Sequence, residues 1–180
     1  MTAPGRPEGS ASEALGPIDA VFDHCAVAAP RLRDLLALYH DVLGGEICNG
    51  GDNIRVGYRA MQLKFRDGSR IELMEPLAGS TFFDSFFARG GGLHHVTFKV
   101  KDIHEAVDAL QGAGYTLTGL YVEDPTWREA FLHPRSAHSV LVQVAQPGPT
   151  FSIDVPGITI EAVLDGDMAL TGAGNGIPSP

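Results

Sequence analysis

Cysteine is nearly absent: the 180 residues hold only Cys25 and Cys48. There is no CxxC and no disulfide framework, so the pair reads as two buried thiols in a reducing compartment. Basic residues are scarce too. Thirteen Lys and Arg face 22 Asp and Glu, for a net charge of −9. No Lys/Arg cluster offsets that acidity, which argues against binding to nucleic acid or an anionic membrane. No apolar run approaches the roughly 18–20 residues needed to span a bilayer. The opening MTAPGRPEGSASEALGP has no apolar core. It reads as a disordered leader over residues 1–18, not a signal peptide, and a cytoplasmic location is expected.

What is present is a folded chain with a 44% hydrophobic fraction. That suits one domain or two small fused modules. An internal repeat decides between them. FDHCAVAAPRLRDLLALYHDVLGGE opens with a short apolar run, continues as a helix pattern and stops at Gly44–Gly45. LHHVTFKVKDIHEAVDALQGAGY has the same layout and stops at Gly112–Gly114. Leu32, Leu35, Leu36, Tyr39 and Leu43 recur at helical spacing in the first, and Ile103, Val107 and Leu110 in the second. Strand-like runs follow each helix: EIC, IRVGYRAMQLKF and RIELMEP, then YTLTGLYV, WREAFLHP and SVLVQVAQ. RDGS marks a hairpin. STFFDSFFARGGG is expected to link the halves as a short helix with Phe82, Phe83, Phe86 and Phe87 packing on one side.

His24 and Glu72 stand 48 positions apart, as do His95 and Gln143, so the halves are offset by 71 at both points. Strand alternation puts His24 with Ala26 and Ala28, His95 with Thr97 and Lys99, Glu72 with Arg70 and Met74, and Gln143 with Leu141 and Ala145. Each strand thus has one greasy face for helix packing and one small or polar face carrying a single potential ligand. His94, on the other parity, is expected toward the helix side or at the strand entrance. Two imidazoles, a carboxylate and an amide oxygen suit a divalent first-row metal: Co, Zn, Ni, Mn or Fe. Two histidines and a carboxylate are also the facial triad of non-haem Fe(II).

FDHCAVAAP, YHDVLGG, IELMEPL, GGLHHVTFKVKDI and FLHPRSAHSVLVQV resemble segments of the vicinal oxygen chelate (VOC; glyoxalase/bleomycin resistance/dioxygenase) superfamily, closest to its methylmalonyl-CoA epimerase-like members. The resemblance spans about residues 20–146. It implies an α+β fold in which two tandem βαβββ modules form a glyoxalase-type half-open barrel. The expected organisation is a leader at 1–18, one VOC domain at 19–146 (modules 19–78 and 92–146) and a C-terminal extension at 147–180. The resemblance also implies metal ligands at His24, Glu72, His95 and Gln143, a small-molecule substrate such as an acyl-CoA or other carbonyl compound, and a homodimer.

One departure has chemical weight. The epimerase-like pattern carries glutamate where this chain has Gln143, and an amide cannot accept the proton. No Glu or Asp lies between Ile54 and Arg66, where a second base is expected. Glu72 and Glu129 are the remaining catalytic candidates; Glu129 and His133 share a strand parity, and Trp127 and Tyr58 are candidate pocket walls. The expected activity is metal-assisted proton transfer beside a carbonyl, by an isomerase, epimerase or lyase. The alternatives are a resistance-type binding protein and an Fe(II) dioxygenase. In the extension, FSIDV and ITIEAVL alternate like strands packing on the barrel or a partner, and the last ten residues read as disordered.

Overall fold

The computed structural model describes Gly16, residues 18–171 and residues 175–178, the backbone alone at 171 and 175–178. Residues 1–15 and 17 of the leader, with 172–174 and 179–180, therefore lie outside the described residues; within the last ten, read as disordered, Asn175–Pro178 forms a strand. Module one runs β1 (Val21–Ala28), α1 (Leu32–Tyr39), β2 (Glu46–Asn53), β3 (Tyr58–Lys64) and β4 (Arg70–Pro76). After α2 (Asp84–Phe87), module two repeats it as β5 (Gly92–Lys99), α3 (Ile103–Gly112), β6 (Leu117–Tyr121), β7 (Trp127–Leu132) and β8 (Val142–Pro147). The extension adds α4 (Ile160–Leu164), β9 (Met168–Thr171) and β10 (Asn175–Pro178).

The described strands form one mixed sheet in the order β10-β9-β2-β3-β4-β1-β5-β8-β7-β6, curled into a half-open barrel. β1 lies parallel to β4, β5 parallel to β8, and β1 and β5 join the modules antiparallel. These central strands carry the four expected ligand positions. The hairpin at RDGS forms as its chemistry requires: Gly68 takes φ +85° and Asp67 accepts the Ser69 amide.

Alternation holds where a helix covers the sheet. Cys25, Val27, Ile71 and Leu73 pack with Leu32 and Leu36 of α1 on the convex side. Fully burying a leucine such as Leu32 contributes about 1.5–3 kcal/mol. Glu75 Oε2 reaches back from β4 to accept the Leu32 amide at 2.7 Å, supplying the N-cap that Arg31 lacks. α1 is shorter than its apolar pattern, since Leu43 falls in the following turn and is exposed. In module two, Asp102 caps α3, and Ile103, Ala106 and Val107 pack on Val144 and Ala130. On the concave side, Ala26, Ala28, Ala60 and Met74 meet Phe83 of the linker, with Phe86 and Phe87 beside it, while Phe82 stays 41% exposed. Both cysteines are free.

The extension corrects the strand reading of ITIEAVL. Thr159 caps the Ala162 amide and the segment is helix α4, with Val163 buried in the module-one core. FSIDV forms no strand; its Val155 amide bonds the Cys48 carbonyl at 2.8 Å, and Lys64 pairs with Asp154. The strand added to the sheet is instead β9, on the edge of β2. Gly51 permits this approach: a Cβ there would meet the Met168 and Ala169 backbone at 2.9–3.0 Å. No described helix is long and apolar enough to cross a membrane.

Candidate active site

A cavity of about 1020 Å³ occupies the concave side and reaches from β1 and β4 across to β7 and β8. His24, Glu72, His95, Gln143 and Glu129 all line it. Glu72 Oε2 lies 3.6 Å from His95 Nε2 and 3.9 Å from His24 Nε2, with all three residues buried. One donor atom from each falls within 4.8 Å of the other two. Three of the four expected ligands therefore converge.

Gln143 stands beside this group with its amide engaged elsewhere. Thr97 Oγ1 donates to Gln143 Oε1 and lies 3.1 Å from His24 Nε2, while Gln143 Nε2 donates to Glu129 Oε2. Trp127 Nε1 donates to the same Glu129 oxygen at 2.9 Å. Both hydrogen bonds fall on Glu129 Oε2. The parity reading of Glu129 as cavity-facing is thus matched by the structure, as are the wall positions of Trp127 and Tyr58. His133 also lines the cavity, and its Nδ1 accepts the Arg135 amide.

Each histidine of the triad is held from behind by the residue preceding it. The β1–β5 register slips at two places, between Phe22 and His24 and between Ala26 and Val27. The extra residues there are Asp23 and His94, and a bulge re-aims the side chains around it. Asp23 Oδ2 accepts His24 Nδ1–H at 2.8 Å, and His94 Nδ1 meets His95 Nδ1 at 2.9 Å. Asp23 and His94 are themselves 71 positions apart, the offset of the modules. His94 therefore does not turn to the helix side. It lines the cavity between the Phe83 and Phe86 rings. With Nδ1 occupied from behind, both histidines present Nε2 inward, the usual outer-partner pattern of a metal-binding imidazole.

Burial sets the electrostatics. It pushes Glu72 above the ordinary carboxylate range, with the His24 charge and a hydrogen bond from Gln62 opposing it. Burial raises Glu129 as well; the Trp127 and Gln143 hydrogen bonds oppose this and the Glu72 charge adds to it. His95 is driven well below its usual value by burial and by the neighbouring His24 and His94, and His94 is pushed down to about 4 by burial. Asp23 differs: burial pulls it up, but hydrogen bonds from His24 and Lys99, with the Arg70 charge, outweigh that and hold it well below the usual range. Two imidazoles and a carboxylate form a hard-to-borderline donor set that fits a divalent cation. Gln62 Oε1, buried on β3 opposite Glu72, has no partner among the described residues, as expected beside a site meant to hold a further polar group.

Sequence reasoning missed Asp23, Gln62 and Thr97 and left His94 without a role. The shared offset of Asp23 and His94 was the available signal. Gln62 is neutral and carries no acid–base signal on β3.

With this geometry in place, comparison with known proteins is informative. The profile of the Glyoxalase/Bleomycin resistance protein/Dioxygenase superfamily matches residues 23–131. The chain belongs to this superfamily. An ethylmalonyl-CoA/methylmalonyl-CoA epimerase of Cereibacter sphaeroides is 30% identical over 130 residues, covering 69% of this chain and 96% of that protein. A mitochondrial methylmalonyl-CoA epimerase of Dictyostelium discoideum is 28% identical over 134 residues, covering 69% and 77%. Among solved structures, the methylmalonyl-CoA epimerase of Mycobacterium tuberculosis superposes with a TM-score of 0.64 at 26% identity, covering 76% of this chain and 93% of that one. A Streptomyces coelicolor methylmalonyl-CoA epimerase variant in complex with 2-nitronate-propionyl-CoA gives a TM-score of 0.60 at 25% identity, covering 70% and 96%. The matched VOC profile spans both halves of the cavity, from His24 on β1 to Glu129 on β7.

Proposed function

We propose that this VOC enzyme is a divalent-metal-dependent isomerase of the epimerase type, moving a proton beside the thioester carbonyl of an acyl-CoA. The observation that carries this reading is the convergence of His24, Glu72 and His95 on the floor of a cavity that also holds a separate carboxylate, Glu129. The named epimerase relatives support the substrate class. His24, Glu72 and His95 would hold the ion, whose role when bound is to polarise a carbonyl oxygen as a Lewis acid.

Glu129 is the base in this scheme. The carboxylate expected at Gln143 has shifted to the neighbouring strand, where β7 pairs antiparallel with β8. Gln143 and Trp127 fix one oxygen of Glu129, and burial makes the group a better proton acceptor than an ordinary carboxylate. Inversion also needs a donor on the opposite face. Tyr58 stands 71 positions before Glu129 and lines the same cavity, its phenol kept protonated by burial and its oxygen accepting a hydrogen bond from Asn53 at 3.2 Å. Tyr58 fills the donor role. A purely binding role would leave two buried carboxylates, Glu72 and Glu129, without a task.

The proposal extends to a homodimer. β9 and β10 cover the β2 edge, while β6 remains a sheet edge with Leu120 and Tyr121 exposed. The test is metal analysis of protein purified without added metal, then deuterium exchange at the α-carbon of methylmalonyl-CoA. Exchange should require the metal and vanish in His95→Ala; undiminished exchange after chelation sinks the reading. One observation favours a second reading: two histidines and one carboxylate also suit Fe(II) and oxygen chemistry. Full turnover under strict anaerobiosis excludes it.

A further inference from the structure

The superfamily profile ends at residue 131, yet the chain beyond β8 is built into the module-one edge and shapes a second cavity. This annex of about 540 Å³ shares Asn53, Arg55, Tyr121, Trp127 and Glu129 with the main cavity. Its outer wall is β9, through Ala169 and Leu170. The proposed base therefore faces both spaces, and its volume falls within the usual range for small-molecule sites.

The wall is firmly anchored. Arg59 binds Asp52 through two nitrogens and donates to the Leu164 carbonyl, tying β2 and β3 to the end of α4. Val163 and Met168 on either side of the α4–β9 turn are buried in the core. The apolar part of the lining is Ile54, Tyr121, Trp127, Ala169 and Leu170, set beside polar and charged residues. Its polar members are already engaged. Asp52 is held by Arg59, Asn53 by Tyr58 and the Val56 amide, Asp124 by Thr126, and Glu123 by the Val122 amide. The Arg55 guanidinium lies 5.6 Å over the Tyr121 ring and roofs the junction of the two cavities.

We propose that this annex is an acyl subsite, taking an apolar substituent larger than methyl on the substrate's α-carbon, and that the C-terminal extension sets this preference. The inference rests on the acyl-CoA reading above. Such a substituent leaves the reacting carbon beside Glu129 while its chain lies against Trp127 and Leu170. Each methylene buried there should favour the longer substrate by about fourfold.

The test compares methylmalonyl-CoA with butylmalonyl-CoA by kcat/KM for α-proton exchange, with binding of each followed by calorimetry, in the full metal-loaded protein. Wild type should prefer the butyl substrate by at least about tenfold. Leu170→Trp, which narrows the annex from β9, should lower that preference about tenfold. Ile54→Trp narrows it from an exposed position and keeps the test usable if the β9 variant fails to fold. A wild type that prefers methyl, or a preference unchanged within about twofold in the folded variants, overturns the subsite and leaves the acyl-CoA reading standing. Absence of both binding and exchange with either thioester overturns the acyl-CoA reading, and the subsite with it.

Discussion

Glu129→Gln isolates the proton chemistry from the fold. The two side chains are nearly the same shape, and the amide oxygen of glutamine can still accept from Trp127 Nε1 and Gln143 Nε2. What is lost is the proton-accepting oxygen. A positioned general base contributes about 10²–10⁴-fold, equal to about 2.7–5.5 kcal/mol of barrier. Exchange of the α-proton of methylmalonyl-CoA in deuterated buffer, followed by NMR with metal-loaded enzyme, should fall by at least about 10²-fold while metal content and melting temperature hold. The pH profile adds a second readout. The base works only when deprotonated, so kcat/KM should rise with pH through an apparent pKa above the ordinary 4.5 of a glutamate, because burial raises it. That limb should vanish in Glu129→Gln. A loss below about fivefold, or a limb that survives the substitution, refutes Glu129 as the base.

His94→Phe keeps a ring among Phe82, Phe83 and Phe86 but removes the contact to His95 Nδ1; metal affinity by equilibrium dialysis should fall about 10–100-fold. Asp23→Asn takes the negative charge from between Arg70 and Lys99 and should destabilise the fold by about 3–5 kcal/mol in urea titration. Because the folded pKa of Asp23 is depressed, the stability it brings is full above its unfolded value near 3.8 and is lost progressively as pH falls from there through the lower folded value; acid titration should show that loss in wild type and not in the variant. Tyr58→Phe should keep α-proton exchange but lose inversion, so deuterium enters with retained stereochemistry; equal loss of both refutes Tyr58 as the opposite-face donor. Gly51→Ala should push β9 off β2 and lower stability by about 1–3 kcal/mol, read as a lower urea midpoint.

The repeat and the polarity of its strands can be read without the fold. Period-two alternation in HCAVAA and RIELM and the 71-residue offset are local, additive properties, so the two modules, their helices and the cavity-facing parity of His24, Glu72, His95 and Glu129 were legible from composition and spacing. Register and contacts between distant segments belong to the fold alone. Alternation assumes an unbroken ladder, and the bulges at Asp23 and His94 break it, turning two apparently idle residues into supports for the histidines they precede. ITIEAVL alternates as well as any strand, yet the Thr159 cap and the burial of Val163 in the module-one core make it a helix. Gln143 looked like a lost base until the pairing of β7 with β8 brought Glu129 to its amide. In each case the deciding interaction joins residues whose proximity no local pattern encodes.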